Sequence, residues 1–220
     1  MIATLARPDA GGLSDRIADD LRDSILSGRL AAGAPLRQDH LAAAYGASHI
    51  PVREALRRLE ADGLVTRYPR RGAFVAALSA ADAREVTEMR AALECLAARH
   101  AVPAATEPDL KAAEAEIAAA DRSADIADWA EANWRFHRAL YAPAARPRLL
   151  SSIEGLWRHA DRYLRVIWHQ FDYQGRSQDE HRALVAAYRA GDADLAAHLV
   201  AAHVEDAGNT LLGLLADRLT

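Results

Sequence analysis

The stretch PVREALRRLEADGLV, residues 51–65, decides the fold of the N-terminal part of this chain. Its apolar positions recur every three or four residues, which predicts one face of an amphipathic helix. These positions are Val52, Ala55, Leu56 and Leu59. Ser48 can cap the helix, Pro51 lies in the first turn, where a missing backbone N–H costs nothing, and Gly63 ends the pattern. The stretch therefore predicts a short helix with both ends marked.

Two further helices are predicted before this one. Residues 13–27 place apolar side chains on one face, with Ser14 as the predicted N-cap and Gly28 as the stop signal. After a turn that contains glycine and proline, a short helix at residues 41–45 is predicted to end at Gly46.

A two-stranded hairpin is predicted to follow. Residues 64–68 and 73–77 are strand-like, and residues 69–72 between them contain proline, glycine and two arginines. Three helices, the last two joined by a tight turn, followed by a hairpin with a basic tip, describe a winged helix-turn-helix. We predict this DNA-binding domain over residues 10–78.

From Ser79 onward the pattern is helical throughout. Apolar residues recur at intervals of three and four, and turn signals delimit about six helices. The predicted breaks lie near residues 102–107, 122–125, 142–147, 172–175 and 190–192. The predicted fold class is therefore mainly α: a winged helix-turn-helix followed by an all-helical bundle over residues 79–220.

Charge is distributed unevenly along the chain. Residues 13–78 contain ten arginines and eight acidic residues, whereas residues 79–220 contain sixteen basic and twenty-two acidic residues. Within residues 48–72 there are six arginines and three acids. A basic head on an acidic body suits a protein that contacts a polyanion at one end. Double-stranded operator DNA is the predicted partner.

Composition excludes several other classes of protein. The chain is 51% hydrophobic and 26% charged, and no run approaches the roughly 18 apolar residues that cross a bilayer. The first residues do not resemble a signal sequence. We therefore expect a cytoplasmic protein without a membrane partner. The single cysteine, Cys95, is expected to be a small buried core residue rather than a reactive thiol.

The second helix of a helix-turn-helix presents its N-terminal side chains to base edges in the major groove. Arg53 lies one turn into that helix and can reach a guanine edge bidentately, a contact worth about 1–3 kcal/mol. Arg57 and Arg58 extend the basic face, and Arg70 and Arg71 at the hairpin tip can enter the minor groove or bind phosphates. The alternative is that these arginines are only solvated surface charges.

With these residues the chain resembles the GntR family of bacterial regulators. The resemblance is carried by PVREALRRLEADGLV with LAAAYGAS upstream and PRRGAFV downstream, and it covers residues 13–78. It implies that Ser48, Arg53 and the wing residue Gly72 occupy DNA-contact positions. The full set of predicted DNA-binding residues is Arg37, Ser48, His49, Arg53, Arg57, Arg70, Arg71 and Gly72.

The head departs from the family pattern at its DNA-reading residues. His49 and Ile50 stand where the family usually has arginine and threonine, and Asp39 occupies a position that is often basic or polar. These departures bear on the operator sequence and not on the fold.

The remainder, from about residue 80 to residue 215, resembles the helical FCD effector domain of the FadR-like branch of this family. The markers are MRAALECLAARHA, NWRFHRAL and DEHRALVAAYRAGDADLAAHLVAAHV. In many members an Asp or Asn, a His four residues later and two further His on the last two helices bind a divalent metal. The resemblance implies such a site at Asn133, His137, His181 and His203.

Residue spacing agrees with this set. Asn133 and His137 are four residues apart and project from one helical face. His181 and His203 lie on the last two predicted helices, which antiparallel packing can bring together. Three imidazoles and an amide oxygen suit Zn or Ni, although a neutral amide is a weaker ligand than a carboxylate. The alternatives are structural core histidines, or side chains that contact an organic effector directly.

A carboxylate effector also needs a cation. Arg90 matches an inward-facing position of the family, and a guanidinium binds a carboxylate through two parallel hydrogen bonds. Arg135 is a second candidate. The alternative for Arg90 is an intrahelical ion pair with Glu94.

These observations predict a homodimeric regulator, a repressor or alternatively an activator, whose helical domain binds a small carboxylate and shifts the spacing of two DNA-binding heads. A dimer is expected because one helix-turn-helix buries too little DNA for operator affinity. The effector binds either at the metal or in a metal-free pocket. A metal-dependent hydrolase is the other alternative, but it needs a general base, and Glu180 is expected to point away from the site.

Overall fold

The computed structural model describes residues 10–77, 79–170 and 173–217. The chain divides into two compact units between residues 78 and 79. Helices dominate both units, which confirms the mainly α fold class. No helix in the described ranges is both long enough and apolar enough to cross a bilayer.

The first unit contains three helices and a small sheet. The helices are α1 (Ala10–Leu26), α2 (Gln38–Tyr45) and α3 (His49–Ala61), and the strands are β1 (Pro35–Leu36), β2 (Val65–Tyr68) and β3 (Gly72–Val75). Strand β3 lies between β1 and β2 and pairs antiparallel with both. This is the predicted helix and hairpin arrangement with one more strand.

Helix α3 anchors this unit through its apolar face. All four of its predicted apolar positions are at most 1% exposed and belong to one core with residues of α1 and the sheet, including Ile17, Leu21 and Val75. Gly46 follows α2 in the left-handed conformation, with φ of 58°, which glycine adopts without steric cost. That turn directs the chain into α3.

Two local predictions were wrong. Ser14 does not cap α1, because the helix begins at Ala10 and Ser14 is buried within it. The segment Pro35–Leu36 is not only a turn, because it pairs with Phe74 and Ala73 of β3. A two-residue strand is too short to show the alternation that identifies strands in a sequence.

The second unit is an all-helical bundle. Its described residues form α4 (Ala80–Ala101), α5 (Glu107–Arg122), α6 (Ile126–Tyr141), α7 (Pro147–Gln170), α8 (Tyr173–Arg189) and α9 (Ala193–Asp217). Short 3-10 turns, Val102–Ala104 and Ala142–Ala144, follow α4 and α6. These six α-helices agree with the predicted number. The break predicted at residues 172–175 falls partly outside the described residues, and Gly175 lies inside α8.

Helices α4 and α9 pack closely along each other. Gly208 makes this approach possible, because a Cβ there would lie 2.6 Å from Oγ1 of Thr87. Beside them Cys95 is only partly buried and donates a hydrogen bond to the Ala197 carbonyl at 3.1 Å. Burial raises the pKa of the Cys95 thiol, so it is protonated at neutral pH.

Candidate functional site

The predicted DNA-reading residues of α3 lie on its solvent face. Ser48 occupies the N-cap position, and His49, Arg53 and Arg57 are exposed. Within the described ranges, Arg53 and Arg57 form no ion pair. Arg58 was predicted to extend the same basic face, but it pairs with Asp15 of α1. Two arginines one helical turn apart are therefore available to an external anion.

A groove beside the start of α3 brings His49 together with three predicted residues from outside α3. It has a volume of about 550 Å³, and its lining includes Arg37, His49, Arg71 and Gly72. Nδ1 of His49 lies 3.7 Å from Oδ1 of Asp39. The structure thus gathers these positions from α2, α3 and the hairpin although they are distant in sequence.

The hairpin tip presents two arginines to solvent. Arg70 has a positive φ of 62°, and Gly72 follows with φ of 94°. The Arg71 guanidinium lies 5.8 Å from the centre of the Tyr68 ring, within the range of a cation–π contact. A turn of this kind carries its basic side chains outward, as a wing that contacts a nucleic-acid backbone requires.

The three predicted histidine ligands meet inside the second unit. His137 lies on α6, His181 on α8 and His203 on α9, and one ring nitrogen from each lies within 4.8 Å of the others. Their exposed fractions are 0%, 1% and 6%. Asn133 is one turn before His137 and is also buried. The fold brings together residues from three helices that are up to 66 positions apart in sequence.

A chain of hydrogen bonds orients His137. Burial raises the pKa of Tyr141 well above its ordinary value, so its hydroxyl stays protonated and donates a hydrogen bond to Glu94 Oε2 at 2.8 Å. The Tyr141 hydroxyl oxygen, which lies 3.2 Å from Nδ1 of His137, therefore accepts a hydrogen bond from Nδ1–H. Nε2 of His137 is left with its lone pair.

A fixed amide orients His181. The Gln178 amide nitrogen donates to the Ile117 carbonyl at 3.0 Å and to Oδ1 of Asp121 at 2.8 Å. Its oxygen must therefore be the atom 2.8 Å from Nδ1 of His181, and it accepts the Nδ1–H. Nε2 of His181 therefore also keeps its lone pair, and the Ser177 hydroxyl lies 3.4 Å from it.

A carboxylate orients His203. Nδ1 of His203 lies 2.6 Å from Oε2 of Glu180, which can only accept. Glu180, which was predicted to point away from the site, reaches from α8 to α9 and contacts the outer side of the His203 ring. All three rings thus have Nδ1 engaged by an outer group, the arrangement that presents Nε2 as a metal ligand.

Two of the three imidazoles in this cluster are uncharged at neutral pH, so they can bind a cation. Burial, and then the neighbouring histidines, hold the pKa of His137 and of His181 well below the ordinary value, so both rings are neutral at pH 7. Nε2 of His137 and Oδ1 of Asn133 are buried, and neither has a hydrogen-bond partner in the part of the chain that the structure describes. A buried acceptor without a hydrogen-bond partner costs free energy. Neutral imidazole nitrogens and an amide oxygen are ligands that suit a borderline divalent ion.

Arg90 lies next to this cluster and forms the intrahelical pair that was its alternative. It is buried, its Nε donates to Glu94 Oε1 at 2.8 Å, and its guanidinium stacks on Trp157 at 4.0 Å. With Asn133 and His203 it lines a cavity of about 10 Å³. That volume is close to the minimum for a single water molecule.

The structure does not bring Arg135 to the cluster. Its side chain is 45% exposed and pairs with Glu116 at 2.9 Å and Glu131 at 3.4 Å. It is two residues before buried His137, which turns it to the outer side of α6. The interpretation of Arg135 as an effector ligand is corrected accordingly, and the residue is left out of the site.

Sequence reasoning did not identify the groups that orient the histidines. Tyr141 and Gln178 are four and three residues from the rings they contact, a helical spacing that makes such a contact possible. Glu180 is 23 residues from His203 and lies on another helix, so no local spacing signals their contact.

Comparison with known proteins covers both units. Residues 13–75 match the family described as bacterial regulatory proteins, gntR family, and residues 85–206 match the FCD domain. The probable D-xylose utilization operon transcriptional repressor of Paenarthrobacter nicotinovorans is 31% identical to this chain, over 93% of this chain and 91% of the relative.

Solved structures show the same fold. A GntR family transcriptional regulator from Pseudomonas syringae is 31% identical with a TM-score of 0.59, over 96% of this chain and 90% of that one. Escherichia coli McbR/YncC, at 24% identity, has a TM-score of 0.77 and covers 98% of this chain and 100% of its own. The chain belongs to the GntR family of DNA-binding transcriptional regulators, with an FCD domain behind its winged helix-turn-helix.

Proposed function

We propose that this regulator is a repressor whose operator affinity changes when a small carboxylate binds at a divalent metal ion. Asn133, His137, His181 and His203 would hold the ion. The observation that carries the proposal is the convergence of three imidazoles whose Nδ1 atoms are all engaged by outer groups, beside two buried acceptors that have no partner among the described residues. The ion would supply a positive centre for an anionic effector.

The charge of the site supports an anionic effector. The four proposed ligands are neutral, so a bound divalent ion keeps its full charge, and a carboxylate balances part of it. Arg90 adds a cation at the edge of the cavity, although Glu94 already pairs with it. We expect Zn or Ni as the ion, because imidazole suits both.

A metal-free effector pocket is the principal alternative. Two buried acceptors favour an ion over such a pocket: Nε2 of His137 and Oδ1 of Asn133 have no hydrogen-bond partner among the described residues. Metal analysis of protein purified without a histidine tag separates the two: a stoichiometric ion supports the metal site, and its absence after incubation with Ni²⁺ or Zn²⁺ contradicts it.

The regulator is favoured over a metal-dependent hydrolase. A hydrolase needs a general base at the open side of the ion. Glu180, the acid next to His181 in sequence, is engaged with Nδ1 of His203 and so lies on the outer side of that ring.

For the DNA-binding unit we propose the contacts predicted from the sequence. Arg53 and Arg57 would read or approach bases from α3, with Ser48 and His49 at the start of the helix. Arg37, Arg70, Arg71 and Gly72 would hold the backbone or the minor groove. Their exposure on one helix face, one groove and one hairpin tip supports this assignment.

Three further features are part of the proposal. The chain acts as a homodimer on a two-fold operator, because a single winged helix-turn-helix buries too little DNA for specific affinity. It acts in the cytoplasm, where operator DNA lies. It represses, as the name of the Paenarthrobacter relative indicates for that protein.

The deciding experiment is a gel-shift titration of the full chain on DNA flanking its own gene at fixed salt. We expect sequence-specific binding that one member of a panel of small carboxylates weakens with Ni²⁺ or Zn²⁺ present, and not after chelation. An effect that survives chelation supports the metal-free pocket. Absence of specific DNA binding under every condition contradicts the regulator assignment.

A further inference from the structure

Glu180 is the acidic side chain in direct contact with a ring of the histidine cluster. It lies on α8, immediately before His181, yet its carboxylate bonds to His203 on α9 at 2.6 Å. We infer that Glu180 is a positioning residue that fixes His203 in the ring orientation and tautomer that a metal ligand needs. This inference rests on the metal site proposed above. It adds to the four proposed ligands a residue that does not touch the ion but on which the affinity for the ion depends.

His203 needs an external constraint more than the other two rings do. It is the most exposed of the three histidines, and a cleft of about 340 Å³, open to solvent, has His203 and Glu180 in its lining. A ring beside water can rotate and can exchange its proton between the two nitrogens. A carboxylate beside Nδ1 accepts a hydrogen bond from Nδ1–H, which keeps the proton on Nδ1 and the lone pair on Nε2.

Glu180 also supplies negative charge, which the four proposed ligands lack. Asn133 supplies an amide where a carboxylate would bring negative charge, and the outer partner of His181 is the Gln178 amide. The carboxylate behind His137 acts only through Tyr141. Glu180 therefore brings negative charge to the cluster through a single hydrogen bond. This hydrogen bond makes the His203 imidazole a stronger metal ligand.

An ion pair with Arg176 holds the Glu180 carboxylate in place. Nε of Arg176, one turn earlier on α8, lies 3.6 Å from Glu180 Oε1, and the same guanidinium pairs with Asp206 of α9. Helices α8 and α9 are thus joined at two adjacent points, Arg176–Asp206 and Glu180–His203. This pairing restricts the carboxylate to the side of His203.

The test is calorimetric titration of the tag-free full chain with Ni²⁺. We expect Glu180→Ala to weaken Ni²⁺ binding about 10- to 100-fold, the usual effect of losing an outer partner of a metal-bound histidine. Glu180→Gln should lose less, because its amide oxygen still accepts from Nδ1. The matched control is Glu205→Gln, which removes a carboxylate from the same cleft; Glu205 shows no bond to His203 in the described residues. Its Ni²⁺ affinity should match wild type.

A second readout reports the tautomer itself. In metal-free wild-type protein, the ¹⁵N shifts of the His203 imidazole should show a protonated Nδ1 and a bare Nε2. In Glu180→Ala they should show a mixture, while His181 is unchanged because Gln178 still holds it. Melting temperatures of the metal-free variants identify any that fail to fold, and Glu180→Gln, which keeps the side-chain shape, then provides the test.

The outcomes separate this inference from the proposed function. If wild type binds Ni²⁺ and Glu180→Ala binds it within twofold, the positioning role is wrong and the metal site stands. Equal losses in Glu180→Ala and Glu205→Gln would also overturn the inference, because bulk charge would then explain both. If wild type binds neither Ni²⁺ nor Zn²⁺, the metal site fails and the inference fails with it.

Discussion

The α3 surface and the histidine cluster use polar side chains in opposite ways. On α3 the candidate residues are close in sequence and exposed, and Arg53 and Arg57 point into solvent. In the cluster the histidines come from three helices and are at most 6% exposed. The α3 surface leaves its charges accessible to a large partner. The histidine cluster buries its polar atoms, where only a ligand as small as an ion can reach them.

The difference predicts how each region tolerates change. A solvated arginine contributes little to folding, so its loss should affect DNA binding alone. A buried acceptor without a partner costs about 1–3 kcal/mol, so the cluster is expected to destabilise the metal-free protein. The substitutions below test this contrast, from the largest expected effect to the smallest.

Arg53→Ala should produce the largest effect. One bidentate base contact is worth about 1–3 kcal/mol, and a dimer loses two, so operator affinity should fall roughly 30-fold to 10⁴-fold. Fluorescence anisotropy at fixed salt measures this, with non-specific DNA as the baseline. Melting temperature and dimer mass should not change. Arg148→Ala, which removes an exposed arginine from α7, is the control and should bind as wild type. Undiminished operator binding by Arg53→Ala would end the assignment of α3 as the reading helix.

His137→Leu should separate metal binding from stability. It removes a proposed ligand and should weaken Ni²⁺ binding by more than the ~100-fold upper range for an outer partner. The metal-free variant should be as stable as wild type or more so, because leucine fills a similar volume and leaves no unpaired Nε2. Tyr141 retains its bond to Glu94. Thermal unfolding with and without Ni²⁺ measures both quantities. A large loss of metal-free stability would show that His137 has a structural role instead.

The two regions also differ in how far the sequence predicts them. The α3 surface follows from local signals: helical spacing over residues 51–65, the left-handed Gly46, and a wing glycine. The cluster needed a family resemblance to select three of nine histidines. The third strand, Pro35–Leu36, was missed because two residues show no period, and Glu180 was missed because its partner lies on another helix. Contacts between helices depend on packing, which local periodicity does not encode.

Asn133→Asp should have opposite effects with and without metal. A buried carboxylate without a partner should cost about 3 kcal/mol of stability in the metal-free protein. With Ni²⁺ the added charge should strengthen binding roughly tenfold, which is a change of about 1.4 kcal/mol. Unfolding curves and calorimetry measure the two effects, and Asn209→Asp, on the exposed side of α9, is the control. Destabilisation that Ni²⁺ does not reverse would mean that residue 133 does not face the ion.

The smallest expected effect concerns Ile50 at the start of α3. It is 59% exposed, more than the other exposed large hydrophobic side chains of the described residues, and it lies among the residues proposed to read bases. We expect it to contact the C5-methyl group of a thymine, the apolar feature of the major groove. Replacing operator thymines by deoxyuridine removes only that methyl and should weaken wild-type binding at one position by about 0.8 kcal/mol, roughly fourfold per half-site. Ile50→Ala should make binding insensitive to that replacement, whereas Arg57→Ala should not. If no single thymine matters to the wild type, Ile50 does not read the operator, and its exposure has no part in DNA recognition.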